Sequence, residues 1–215
     1  DGTEKKSSYI NKQKIILEDK TLLVTRVENS KKSIMVIANT YPEGIGQTNA
    51  DGKTPFSIAF ESTTPNISGD IILAFVSLYP LGATIPDKDG LIPLHHAVNG
   101  ASKHSLDVVM ALISAYEEGT KMKDNDGRLP LHHAAKTNAP IKLVEILLKA
   151  YPEAIEVKDK KYNQLPLTYA IEYEATHELV MMLLSKYPAG AQVKENNGYY
   201  PLHCALRVSM PRFEL

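Results

Sequence analysis

The chain has 215 residues, with 24 Lys and Arg against 25 Asp and Glu and a formal net charge of −1. That balance argues against a nucleic-acid binder held by phosphate contacts, which needs a visibly basic surface, and an apolar fraction of 43% argues against wholesale disorder. The one cysteine, Cys204, excludes an intramolecular disulfide and a Cys-based zinc cluster and fits a reducing, intracellular compartment, cytoplasm or an organelle lumen or matrix.

Residues 1–14 are polar and Lys-rich and read as a loose tail. They contain neither an initiator Met nor an apolar signal core, so a processed end or an edge within a longer chain is expected. A degenerate unit follows at 15–45. Thr21-Leu-Leu-Val-Thr-Arg-Val27 and Lys32-Ser-Ile-Met-Val-Ile-Ala-Asn-Thr-Tyr41 read as two helices, and the pair has the look of a terminal cap.

From there one phrase recurs five times: Thr54-Pro-Phe-Ser-Ile-Ala59, Ile92-Pro-Leu-His-His-Ala97, Leu129-Pro-Leu-His-His-Ala134, Leu165-Pro-Leu-Thr-Tyr-Ala170 and Tyr200-Pro-Leu-His-Cys-Ala205. Its prolines, Pro55, Pro93, Pro130, Pro166 and Pro201, are 38, 37, 36 and 35 residues apart. A second mark keeps step: Tyr41, Tyr79, Tyr116, Tyr151 and Tyr187, each followed by Pro except Tyr116. Two marks with one period define a repeat array over 15–215, with units near 46–83, 84–120, 121–155 and 156–191 and an incomplete unit at 192–215.

Each unit predicts the same structure. Pro opens a short helix, where its missing N–H costs nothing. A second helix carries an apolar stripe, such as Leu143, Val144, Ile146, Leu147 and Leu148, and the Pro after Tyr ends it. A polar turn then places Gly52, Gly90, Gly127 or Gly198 three residues before the next Pro. Asn163 takes that place in the fourth unit, and Asn also tolerates positive φ. The Ala at 59, 97, 134, 170 and 205 marks close approach of helices. Extra residues fall around Ser62–Gly69, Gly100–Ser105 and Lys160. Met210–Leu215 resembles the opening of another second helix, so the array is expected to continue beyond Leu215.

No apolar run approaches the roughly 18–20 residues that span a bilayer; Ile71–Tyr79 and Val108–Tyr116 reach about half that length, so no membrane insertion is expected. No Gly-x-Ser-x-Gly, phosphate-binding Gly-rich loop or Cys-x-x-Cys is present. No catalytic residue, metal site or cofactor is therefore assigned, and the chain reads as a non-enzyme. Gly44-Ile-Gly46 carries no phosphate motif, Asn66-Ile-Ser68 is a bare glycosylation pattern, and Cys204 reads as a packing residue. His95-His96 and His132-His133 tempt a metal reading, but neighbours on a helix point about 100° apart. His96 and His133 either pack at the core edge or touch a partner. The five phased tyrosines read as packing between units. Tyr162, Tyr173, Tyr199 and Tyr200 lie outside that ladder; they are either ordinary surface tyrosines or a contact region, since exposed Tyr is enriched in binding hot spots.

Asp87-Lys-Asp-Gly-Leu-Ile-Pro-Leu-His-His-Ala97 and Asp124-Asn-Asp-Gly-Arg-Leu-Pro-Leu-His-His-Ala134 resemble the ankyrin repeat signature, and the resemblance extends over about 15–215. The departures are Ile92, Leu129, Leu165 or Tyr200 in place of the family's Thr, Tyr-Pro in place of Gly-Ala after the second helix, and a period longer than about 33. The resemblance implies an all-α solenoid of two-helix units with projecting hairpin-like loops, in which His95, His132 and His203 tie helix starts to loops. It also implies a protein partner held by loop tips and first-helix ends. Here those are Lys53, Lys88, Asp89, Leu91, Asn125, Asp126, Arg128, Lys161, Tyr162, Gln164, Asn197 and Tyr199, with Lys136, Glu172 and Tyr173 at helix ends. The expected function is recruitment or scaffolding of a protein. A structural subunit of a large assembly and a targeting module of a larger enzyme are the alternatives. Further repeats or a partner are expected to cover the C-terminal end.

Overall fold

The computed structural model describes residues 30–61, 69–99 and 106–209. Those residues form helices, tight turns and loops, with no strand among them. A helix at 30–40, α1, is followed by four two-helix units: α2 (Pro55–Glu61) with α3 (Gly69–Leu78), α4 (Pro93–Asn99) with α5 (Leu106–Ala115), α6 (Pro130–Lys136) with α7 (Ile141–Ala150), and α8 (Pro166–Glu172) with α9 (His177–Lys186). A last first helix, α10 (Pro201–Ser209), closes the described residues. All five prolines of the recurring phrase open their helices. The helix expected at Thr21–Val27, the tail, the segments 62–68 and 100–105 and the C-terminal Met210–Leu215 lie outside the described residues.

The first helices pack in a row, α2 on α4, α4 on α6, α6 on α8 and α8 on α10. Ala59, Ala97, Ala134 and Ala170 are buried in that row, which lets seven-residue helices approach closely. The second helices form a parallel row behind it, sealing a continuous core that includes Phe56, Ile72, Leu94, Leu112, Leu131, Leu147, Leu167 and Leu183.

One expectation is corrected. The second helices do not need Pro to end. Tyr116, followed by Glu117, leaves the helix at φ −150 and ψ 87, and Tyr41, Tyr79, Tyr151 and Tyr187 do the same with Pro after them. In every case a one-turn 3-10 segment follows, at Pro42–Gly46, Pro80–Thr84, Glu117–Lys121, Pro152–Glu156 and Pro188–Gln192. The tyrosine ring folds over the residue three places on. A Cβ at Gly119 would stand 3.1 Å from the Tyr116 ring, so the small residue admits the ring. The helix thus ends at the tyrosine in all five cases, with or without Pro after it.

The loops are hairpin-like. Asp87 N–H donates to Leu91 O, Asp124 N–H to Arg128 O and Glu195 N–H to Tyr199 O. In the fourth unit Asp159 N–H reaches one residue further, to Gln164 O, which places the expected extra residue in this loop. Neighbouring tips are joined through the main chain: Lys88 N–H to Gly52 O, Asn125 N–H to Asp89 O, Lys160 N–H to Asp126 O and Asn196 N–H to Tyr162 O. Asn163 adopts φ +61 where the other units carry Gly, as expected. Gly127 sits at φ +81, and a Cβ there would lie 2.6 Å from Lys160 N. Gly127→Ala is therefore expected to cost about 2 kcal/mol of unfolding free energy, from left-handed backbone strain and a displaced tip. Urea unfolding measures it, and a change within about 0.5 kcal/mol would contradict this account of the tip.

Candidate protein-binding surface

The second to fifth loops are each fastened to their own first helix by a buried polar pair. His96 Nε2 lies 2.8 Å from Asp87 Oδ2, and His133 Nε2 lies 2.9 Å from Asp124 Oδ2. Tyr169 Oη donates to Asp159 Oδ2 at 2.7 Å, and Cys204 Sγ to Glu195 Oε1 at 3.4 Å. The acid precedes its partner by nine residues, or ten in the lengthened fourth unit. That recurring spacing is visible in the sequence, but the reading of motifs around Pro passed over it. His96 and His133 are thus buried loop anchors rather than exposed contacts. Cys204 is buried, and burial together with the Glu195 hydrogen bond pushes its thiol up to about 12, which leaves it unreactive.

His95 and His132 join successive units. Ile92 N–H donates to His95 Nδ1 at 3.3 Å, so the neutral ring carries its proton on Nε2, which faces Arg128 O of the next unit at 3.2 Å. Leu129 N–H, His132 and Gln164 O repeat the arrangement at 3.1 and 3.3 Å. Burial, with His133 nearby, lowers His95 to about 3, and burial lowers His132 to about 4. Both nitrogens of each ring are committed, so neither can serve as a general base without breaking the stack. His203 accepts Tyr200 N–H at Nδ1 in the same way, but its ring is exposed and stacks on Tyr199 and Tyr200. Among the described residues no group of three His, Cys, Asp or Glu comes together that could hold a metal ion, and no helix is long and apolar enough to cross a membrane.

This scaffold presents a hollow between the fourth and fifth units. It encloses about 690 Å³ and is lined by Tyr162, Gln164, Glu172, Tyr173, Asn197, Arg207 and Val208. Tyr173 caps α8 and stacks on Tyr169 with centroids 6.1 Å apart. Lys136 Nζ stands 5.0 Å above the Tyr173 ring, Lys161 Nζ 5.0 Å from that of Tyr162, and the Arg207 guanidinium 5.6 Å from that of Tyr199. Glu172 accepts from Gln164 Nε2 at 2.9 Å and from the Arg207 guanidinium. The three tyrosines stay 40–49% exposed although their rings are ordered by these contacts.

The structure separates the residues proposed from sequence. Tyr162, Gln164, Glu172, Tyr173 and Asn197 line one hollow, with Lys136 and Lys161 against its rings and Tyr199 against Arg207 of its wall. Gln164 is corrected from an exposed tip to a buried brace: its N–H donates to Asp159 Oδ1, its carbonyl faces His132 and its amide holds Glu172. Asn125 binds Lys88 O through Nδ2 and so ties tip to tip. Arg128 is half-buried, with Nε on Asp124 at 2.8 Å and a terminal nitrogen 3.1 Å from Asp126. Lys53, Lys88, Asp89 and Leu91 belong to the first and second loops, away from the hollow. Arg207 and Val208 complete it from α10.

A stacked row of short first helices, joined through buried imidazoles and projecting hairpin-like loops, defines an ankyrin-type solenoid. Residues 68–159 match the family model for ankyrin repeats in three copies. Among solved structures it is similar to the ankyrin repeat domain of Bcl-3, a unique member of the IkappaB protein family. The TM-score is 0.64 at 22% identity, over 85% of this chain and 77% of that one, which is a likeness of fold. No curated protein sequence matches the chain. Ankyrin repeats are generally protein–protein interaction modules.

Proposed function

We propose that the chain is a non-catalytic recruiting or scaffolding module that grips a partner protein in the hollow of its fourth and fifth units. The supporting observation is that Tyr162 and Tyr173, half-exposed and ring-ordered, line one concavity with Glu172 and Arg207 at its wall, while Tyr199 lies beside it against Arg207. Tyrosines already held in place lose little freedom on binding, which favours affinity. The lone, buried Cys204 suits a reducing compartment.

A second reading concerns the outer face of α10. Leu202 and Leu206 are 69% and 53% exposed, whereas Leu94, Leu131 and Leu167, in the place of Leu202, are buried under the next unit. That face suits a further repeat or a partner stacked on the end.

One series tests both. The partner is identified by lysine cross-linking after native affinity capture and then titrated. Joint replacement of Tyr162, Tyr173 and Tyr199 by Ala is expected to weaken its binding at least about tenfold with helicity retained. If affinity holds in that variant and falls in Leu202→Glu, the end face is the binding surface and the hollow is not.

A further inference from the structure

Resting on the reading of the hollow as the partner site, we propose that the segment it accepts is an extended, carboxylate-rich stretch of the partner with an apolar or aromatic side chain at its centre. The charges around the hollow carry this inference. The two lining tyrosine rings, of Tyr162 and Tyr173, and that of Tyr199 beside the hollow each already have a cation of the chain near them, Lys161, Lys136 and Arg207 respectively. A Lys or Arg from a partner would have to displace that cation and then face its repulsion. A carboxylate meets the opposite situation, since it can bind the cation while the ring stays in place.

The acidic groups nearby are committed or buried; Glu195 accepts from Cys204 at Oε1, and its other oxygen, Oε2, is buried without a hydrogen-bond partner. Glu172 is held by Gln164 and Arg207, Asp126 is paired with Arg128, and Asp124 and Asp159 are buried in their loop pairs. Glu174 is exposed beside Tyr173 but belongs to the turn after α8 and does not line the hollow. Lys136 and Lys161 form no ion pair among the described residues. Lys136 stands at the end of α6 and Lys161 in the fourth loop. The exposed faces of Tyr173 and Tyr162 beside them supply the apolar contact. The whole chain is near neutral, so this preference is local to the hollow and is invisible in the overall charge.

The test uses the full chain and two synthetic peptides, each with one central tyrosine. One is flanked by Glu and Asp, its counterpart by Lys and Arg, and both are followed by fluorescence anisotropy. The acidic peptide is expected to bind at least about tenfold more tightly than the basic one, and to weaken as salt is raised. Lys136→Glu with Lys161→Glu is expected to remove about tenfold of its affinity, with urea unfolding unchanged to show that the array is intact. Failure of the acidic peptide to bind, or equal or tighter binding of the basic one, overturns the inference. If the basic peptide binds and Tyr173→Ala weakens it, the hollow stands as the site and only its chemistry was misjudged. Acidic-peptide binding that ignores both the lysine and the tyrosine changes overturns the inference and the hollow together.

Discussion

Replacement of Asp124 by Ala is expected to lower the unfolding free energy of the array by about 3–5 kcal/mol, the range for breaking a buried, hydrogen-bonded ion pair. The Asp124 side chain is completely buried and accepts four hydrogen bonds. Asp126 N–H and Arg128 N–H bind Oδ1 at 3.0 and 2.8 Å; Arg128 Nε and His133 Nε2 bind Oδ2 at 2.8 and 2.9 Å. Burial alone would raise its pKa, but the hydrogen bonds from His133 and Arg128 outweigh that and hold the carboxyl well below the usual range. Alanine strands all four donors, and an unsatisfied buried donor costs about 1–3 kcal/mol. Asp124→Asn keeps an acceptor for the two backbone N–H groups and should cost visibly less. Urea unfolding of the pair measures both, and equal losses would show that the contacts at Oδ1 are not what Asp124 contributes.

Acid should unfold the protein through its histidines before its carboxylates. His95 and His132 are neutral in the stack, with pKa values of about 3 and 4, because burial disfavours the imidazolium. An unfolded imidazole titrates near 6.5. Below that pH the unfolded chain binds more protons than the folded one, so stability falls as pH falls. The contribution of these rings is fully present above about pH 6.5 and declines down to about pH 4 for His132 and about pH 3 for His95. Through the middle of that window each group costs about 1.4 kcal/mol per pH unit, or roughly 3 for the two. His133, lowered by burial despite its bond to Asp124, acts in the same direction. Asp124 continues the loss at lower pH, where its depressed carboxyl finally protonates. Urea midpoints taken between about pH 7 and pH 4.5 should drop steeply. A flat profile would mean that these rings are not held neutral by burial.

Much of this was legible in the sequence because the repeat averages out local ambiguity. Five prolines and five tyrosines in step placed every described helix, and Asn163 could be assigned positive φ because four glycines stood at the same phase. Tyr116 shows where such reasoning failed. A Pro after the helix is a local signal, whereas the ring of Tyr116 over Gly119 is a packing contact that no local pattern states. Gln164 failed for a related reason. A polar loop residue reads as exposed, and only the neighbouring unit reveals that its carbonyl and amide are both in use. The hollow was half visible. Its tyrosines stood out as departures from the ladder, but the cations over their rings come from α6, the fourth loop and α10, and their meeting is a product of stacking.

The main-chain bonds that run from tip to tip have a consequence for how such a surface can change. Gly52, Asp89, Asp126 and Tyr162 offer carbonyls, and Lys88, Asn125, Lys160 and Asn196 offer N–H groups. Peptide groups are common to all residues, so the alignment of one unit on the next is indifferent to the side chains most of these positions display. A tip can trade an aspartate for a tyrosine, as Asp126 and Tyr162 already illustrate, without losing the main-chain bond to its neighbour. Specificity can then be rewritten one unit at a time while the rest of the array keeps its shape, much as type is reset in a fixed frame.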